Sequence, residues 1–198
     1  MDNVLTIQAQ SYKVSIPLFY ARKSVELFQK YYPLIDEVID SFQNVEENHK
    51  IILSLFDRLS RKGGLSNFVD LLNGVRIDDL TINDTNYDLI FAGRLDLLGI
   101  IIYETIKYNW SIILEKMENI IIMYGALEDR NAQVKEAISN IIHSDFLIWD
   151  SIASGCAYLW EMDNYYYLKD ALDLRFHLFM KHYNEMQSLQ NQVMKLVG

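Results

Sequence analysis

The residues best suited to chemistry lie near the C-terminal end of the chain. Arg175 and His182 are seven positions apart, and residues seven apart on an α-helix differ by only about 20° in direction. A permanently charged guanidinium beside an imidazole that titrates near neutral pH can support RNA cleavage without a metal. The histidine would move a proton at the 2′-hydroxyl or the leaving oxygen, and the arginine would stabilise the charged phosphorane. Arg175 and His182 are therefore candidate catalytic residues.

Residues 175–182, RFHLFMKH, resemble the signature of the HEPN superfamily, which is an arginine, four to six residues and a histidine on a late helix. The resemblance implies a small all-α ribonuclease of the toxin or antiphage type, often a homodimer that brings two motifs into one cleft. Phe176 departs from the pattern, because the family usually has a polar residue there. The alternative stays open that Arg175 and His182 are ordinary residues of an amphipathic helix.

A second set of residues suggests a binding protein without catalytic activity. Met123-Tyr124-Gly125, residues 154–158 (SGCAY) and Trp160 precede a long amphipathic C-terminal helix. Together they resemble the poxviral relatives of the B-cell-lymphoma apoptosis regulators. That resemblance implies a helical bundle that acts in counter-defence by binding host signalling proteins.

Tyrosines after a predicted turn offer a contact surface for such a partner. Tyr165, Tyr166 and Tyr167 follow Asp163-Asn164, and tyrosine combines apolar area with a polar tip. His177 and Lys181 on the following helix are further candidate contacts. The alternative is that the tyrosines close one end of the bundle. The function predicted first is a protein-interaction or regulatory module that binds a protein partner or a second copy, and the alternative is the HEPN-like ribonuclease, which would bind RNA.

The sequence gives little support for a metal site, a cysteine nucleophile or a phosphate-binding loop. Glu46-x-x-His49 is the only Glu-x-x-His motif, whereas a di-iron bundle needs two such motifs and two further glutamates. Cys156 is the sole cysteine and lies in a strongly apolar segment, so we expect a buried small side chain rather than a nucleophile. The chain has no glycine-rich phosphate loop. We therefore expect neither a metal nor a cofactor.

Composition narrows the classes of protein further. The 198 residues carry a formal charge of −9, which disfavours a large nucleic-acid footprint. One cysteine excludes a disulfide-stapled scaffold and favours a reducing compartment. Leu97–Tyr103 and Ile120–Leu127 are the longest apolar runs, and both are far shorter than the ~20 residues of a membrane span. The first residues lack the pattern of a signal peptide. These features predict a cytoplasmic protein that does not bind membranes.

The elements that must position these residues are predicted to be helices. Two prolines in 198 residues leave few helix breakers, and the main apolar runs follow helical spacing over about 15 residues. The prediction is a single all-α domain over residues 1–198, a bundle of seven to nine helices around a central buried helix at Phe146–Trp160. The segment 75–87 is predicted to be a loop with room for a short strand, and is the one weak candidate for a domain boundary.

The remaining boundaries follow from caps and breakers. We expect residues 1–14 to form a tail or short strand, and a helix to open at Ser15 with Pro17 in its first turn. We expect Pro33 to end or kink this helix. A second predicted helix starts at Asn44 with a capping box and stops at Gly63-Gly64. The other predicted helices cover Ser66–Asn73, Tyr87–Tyr124, Leu127–His143 and about Tyr165–Val197. Within Tyr87–Tyr124, the candidate breaks are Gly93, Gly99 and the Asn109 region.

Overall fold

The computed structural model describes residues 3–41, 68–116, 142 and 146–197. In chain order the elements are β1 (Val4–Ala9), β2 (Tyr12–Pro17), α1 (Ala21–Ser41), α2 (Val69–Leu72), β3 (Arg76–Ile77), β4 (Leu80–Thr81), α3 (Tyr87–Phe91), α4 (Leu95–Trp110), α5 (Phe146–Ala153), α6 (Leu159–Asn164) and α7 (Leu168–Val197).

The four strands form one antiparallel sheet in the order β1-β2-β3-β4. The all-α prediction is therefore wrong, and the chain is a mixed α/β protein. The predicted helix start at Ser15 is wrong as well, since Ser15 and Pro17 belong to β2 and α1 begins at Ala21. Both resemblances imply an all-α fold, so the sheet departs from each of them.

Two tight hairpins build this sheet. Ala9 pairs with Tyr12 and Ile77 with Leu80, so each turn has two central residues. Gln10 and Asp78, the first central residues, have positive φ angles of 56° and 50°, as the favoured two-residue hairpin turns require. The two hairpins join where Val14 pairs with Ile77. The predicted loop at 75–87 thus supplies two strands of the sheet.

The sheet separates an inner from an outer face. The inner face packs on α4, which contacts both β1 and β2. Val14 and Ile16 on that face are fully buried, whereas Val4, Thr6 and Gln8 on the outer face of β1 are exposed. This alternation is the period of two expected for a strand with one face in water.

The central buried helix is α4. It packs against α1 and the sheet, and Leu97, Leu98 and Ile101 are fully buried. Within the described ranges, one helical stretch, Leu95–Lys116, is long and apolar enough to cross a membrane, and 61% of its apolar window is buried in the protein. A core helix meets the same criteria, and the packing on both sides makes α4 the core helix here.

The segment Phe146–Trp160, predicted as the central helix, is broken in two. Helix α5 ends at Ala153, because Gly155 has a φ of +70° and the Cys156 N–H donates to the Ser151 carbonyl at 3.0 Å. This is the closing pattern of a helix that ends on a left-handed glycine. The buried position predicted for Cys156 is also wrong, since the turn exposes it.

The remaining predicted helices differ in outcome. Helix α1 runs across Pro33 with a kink, where Tyr31 has non-helical angles of −116° and 17°. The predicted Tyr87–Tyr124 helix is interrupted at Gly93, whose φ is +71°. The helices predicted from Asn44 and over Leu127–His143 lie outside the described residues.

Candidate functional site

Arg175 and His182 both lie on α7, and each has a carboxylate beside it. Arg175 forms an ion pair with Asp150 of α5, and the two side chains are 34% and 33% exposed. His182 is 72% exposed, and its Nδ1 lies 3.5 Å from Glu185 Oε2. Carboxylates beside both residues lower the positive potential that an approaching phosphate would meet. The pair lies at the surface, with Arg175 occupied in fixing α7 to α5.

The three consecutive tyrosines have different environments. Tyr165 is 67% exposed. The Tyr166 carbonyl accepts a hydrogen bond from the Ala21 N–H at 2.7 Å. The Tyr167 ring stacks on Tyr20 with centroids 5.2 Å apart, and its hydroxyl accepts from the Asn3 side chain. Burial is the largest cause that raises the pKa of both Tyr166 and Tyr167. Only Tyr165 offers most of its ring to solvent, and the other two join α7 to the start of α1.

His177 and Lys181 are exposed on α7. They lie on the same helix as Arg175, so their side chains extend the polar surface of α7 rather than the tyrosine cluster. The structure therefore spreads the predicted contact residues over two regions, α7 itself and the turn that precedes it.

Large apolar side chains are exposed along α5 and α6 and just after them, and of these the sequence analysis had named only Tyr165 as a contact residue. We call this set the aromatic surface; its members, with exposed fractions, are Trp149 (55%), Tyr158 (76%), Leu159 (37%), Trp160 (68%) and Tyr165 (67%). Four of the five lie within the segment predicted to be buried or next to its end. The signal that could have found them is Ser154-Gly155, which marks a helix end and leaves two helices too short to be enclosed on all sides.

Local geometry explains why these side chains face solvent. Helix α6 has six residues and is held by Met162, which is fully buried. At its start the Tyr158 N–H donates to Glu161 Oε2 at 2.7 Å, which satisfies one of the free N–H groups that begin a helix. Met162 occupies the inward side of so short a helix, so Trp160, two residues before it, lies on the outer side. Tyr158 precedes the helix with extended angles of −106° and 153°.

The aromatic surface borders a groove of about 270 Å³ between α1, α5 and α6. Its lining residues are Arg22, Val25, Glu26, Gln29, Ile148, Trp149 and Leu159. Val25 and Ile148 are almost fully buried and supply apolar walls. Trp149 and Leu159 belong to both the groove and the aromatic surface, so the two are continuous.

Charged residues form one rim of the groove. The Arg22 guanidinium lies 3.1 and 3.3 Å from the two Asp163 carboxylate oxygens, and its Nε lies 3.0 Å from Glu26 Oε1. The charge of Asp163, with help from Glu26, raises the pKa of Arg22. Glu26 lines the groove with Arg22, and Asp163 pairs with Arg22 from outside the lining, so one guanidinium faces two carboxylates and ties α1 to α6.

Comparisons with known protein families, with curated proteins and with solved structures find no match for this chain. Among residues 3–41, 68–116, 142 and 146–197, no group of three or more histidine, cysteine, aspartate or glutamate side chains is arranged to hold a metal ion. Glu46 and His49 lie outside those residues. The aromatic surface and its groove are the candidate site.

Proposed function

We propose that this protein is a protein-interaction module whose partner docks on the aromatic surface and inserts an apolar side chain into the adjacent groove. The observation that carries the proposal is that Trp149 and Leu159 line the groove and are exposed, with the exposed Tyr158 and Trp160 on either side of Leu159 in the chain. Large aromatic residues are enriched at protein interfaces and depleted from ordinary surfaces. Adjacent exposed apolar side chains of this size mark a place where another molecule removes them from water.

The tryptophans are the expected energetic centre of this interface. A buried aromatic side chain removes roughly 150–250 Å² from water, and apolar burial contributes about 25 cal/mol per Å². Trp149 is about half exposed and Trp160 two-thirds exposed, so each retains most of that area for a partner. Hot-spot tryptophans typically cost about 2–4 kcal/mol when truncated.

The partner's chemistry follows from the rim and the net charge. Arg22 and Glu26 line the groove, Asp163 pairs with Arg22 beside it, and the chain carries −9 overall. A partner with lysine or arginine around an apolar anchor would gain from both features and would associate faster at low salt. The groove lies between helices, and an amphipathic helix is the form of peptide that such grooves accept. The proposed occupant is therefore a basic amphipathic helix of another protein.

A displayed library of helical peptides tests the proposal. Peptides selected on the native protein alone should combine a large apolar anchor with basic residues. Trp110 is already buried, so acrylamide quenching of tryptophan fluorescence reports mainly on Trp149 and Trp160. Peptide binding should reduce that quenching. Each single tryptophan change should weaken binding by at least about 30-fold, which corresponds to about 2 kcal/mol.

Leu89→Ala is the matched control. Leu89 is 82% exposed but lies on α3, away from the groove lining, so its removal should leave peptide affinity unchanged. The proposal fails if selected peptides bind equally well to the tryptophan variants, or if Leu89→Ala weakens binding as much as Trp149→Ala does.

A further inference from the structure

Strand β1 lies at the edge of the described sheet, and its own sequence lacks the usual protections against pairing. Among residues 3–41, 68–116, 142 and 146–197, β1 is paired on one side, with β2. Its residues, Val4–Ala9, read VLTIQA and contain no charge, proline or glycine. Natural proteins usually blunt such an edge with lysine, proline or a bulge, and β1 keeps an unbroken register with β2 over six residue pairs.

The hydrogen-bonding parity of the sheet shows which backbone groups of β1 face outward. The Asp78 N–H donates to the Lys13 carbonyl at 2.7 Å, so Lys13 directs its backbone groups toward β3. Backbone groups alternate in direction along a strand. Gln8, the residue paired with Lys13, therefore directs its own groups away from β2. By the same alternation the outward groups of β1 belong to Val4, Thr6 and Gln8. Pro17 pairs with Val4 and has no N–H to donate to β1. This is consistent with Val4 directing its backbone groups away from β2.

We propose that β1 pairs with β1 of a second copy of this chain, antiparallel and about a two-fold axis at Thr6. This register places Thr6 opposite Thr6 of the partner and Val4 opposite the partner's Gln8. It matches all three outward residues, whereas a shift by two residues in either direction matches fewer. Each such pair exchanges two hydrogen bonds. The result is an eight-stranded sheet across the dimer, with the same surface used by both copies.

Two observations favour a second copy as the occupant of this edge. On the inner face, Leu5 and Ile7 remain partly exposed, whereas Val14 and Ile16 of the next strand are fully buried. The proposed register sets Leu5 against the partner's Ile7 and so completes the burial of both apolar side chains. In addition, β1 has no charge, so two chains that each carry −9 meet at a neutral line instead of a repelling one.

Sedimentation over a concentration series tests this proposal. The native chain should reach twice its mass of 23.2 kDa. Thr6→Glu places two carboxylates opposite each other at the axis and should weaken the dimer by at least about tenfold. Ser15→Glu is the matched control. Ser15 pairs with Thr6 on the same outer face but lies inside the sheet, next to Arg76, so the dimer should persist.

A disulfide test reports on the register directly. In a Cys156→Ser background, which removes the exposed native thiol, Thr6→Cys should form a covalent dimer on mild oxidation. Directly opposite residues lie about 5.5 Å apart between Cα atoms, within the range of a disulfide. Ser15→Cys should form no covalent dimer in the same conditions. A native chain that stays monomeric at every concentration overturns the proposal, as does a dimer that is indifferent to Thr6→Glu.

Discussion

Asn109 makes the polar connection between the core helix and the sheet, and its removal is the sharpest test of the fold. The side chain is 2% exposed. Its Oδ1 accepts from the Phe19 N–H at 2.7 Å, and its Nδ2 donates to the carbonyls of Pro17 at 3.3 Å and Thr105 at 3.1 Å. Asn109→Ala leaves the first two groups without their partner.

The expected loss in free energy of unfolding follows from the groups that the alanine leaves without hydrogen-bond partners. The Phe19 N–H lies in a buried bond, and a buried donor without a partner costs about 1–3 kcal/mol. The Pro17 carbonyl is partly buried and adds a smaller amount, as does the lost side-chain volume. We expect the free energy of unfolding to fall by about 3 kcal/mol. In a chain of this size each kcal/mol lowers Tm by about 2–4 °C, so Tm should fall by about 6–12 °C.

Urea unfolding followed by far-ultraviolet circular dichroism measures this loss. Asn164→Ala is the control, because the Asn164 side chain also donates to a carbonyl, that of Trp160 at 3.0 Å, but at an exposed position. Water replaces that bond, so we expect a loss below about 1 kcal/mol. If Asn109→Ala costs no more than Asn164→Ala, the buried connection described above is wrong.

Two further predictions concern single sites. Burial lowers the pKa of Lys23, against the raising effect of Asp70, so the unfolded chain binds the proton more tightly than the folded chain does. Any stability advantage of Lys23→Met over the native chain should therefore shrink as pH rises toward 10.5. Urea unfolding at several pH values measures this difference, and a difference that stays constant would contradict the prediction. If the chain is a HEPN-like ribonuclease, purified protein should cleave RNA without metal, and Arg175→Ala/His182→Ala should abolish cleavage. Asp150→Asn, which frees the arginine from its ion pair, should leave cleavage intact. If no cleavage is detected, or if cleavage survives the double change, the ribonuclease hypothesis is rejected.

A helix interrupted near Pro33 could be predicted from the sequence because the signal of the proline is local, whereas the predicted start at Ser15 was wrong. Pro33 removes one N–H and crowds the preceding turn wherever it lies in a helix, and the structure has the kink at Tyr31. The long last helix was predicted from its periodicity in the same way, over about Tyr165–Val197, and α7 covers Leu168–Val197. Such features depend on residues within a few positions of each other.

The candidate site was predicted less well. Arg175 and His182 were singled out by spacing alone, which places both on one helix but cannot show that Asp150 pairs with the arginine. Trp149 and Trp160 were assigned to a buried helix because the segment is apolar throughout. Apolar composition does not distinguish a core residue from an interface residue, since both are removed from water in the functional state.

By itself, the sequence determined a helix-rich chain with one cysteine, an acidic charge and no obvious chemical motif outside Arg175–His182. Only the tertiary structure decided that β2 pairs with β3, whose residues lie about sixty positions away. Strand pairs are stabilised by hydrogen bonds between distant residues, so neither their existence nor their register is written in the local pattern. The same dependence on distant neighbours decided which helix is central. Leu95–Trp110 is enclosed by α1 and the sheet, while the apolar α5 and the short α6 leave Trp149 and Trp160 exposed.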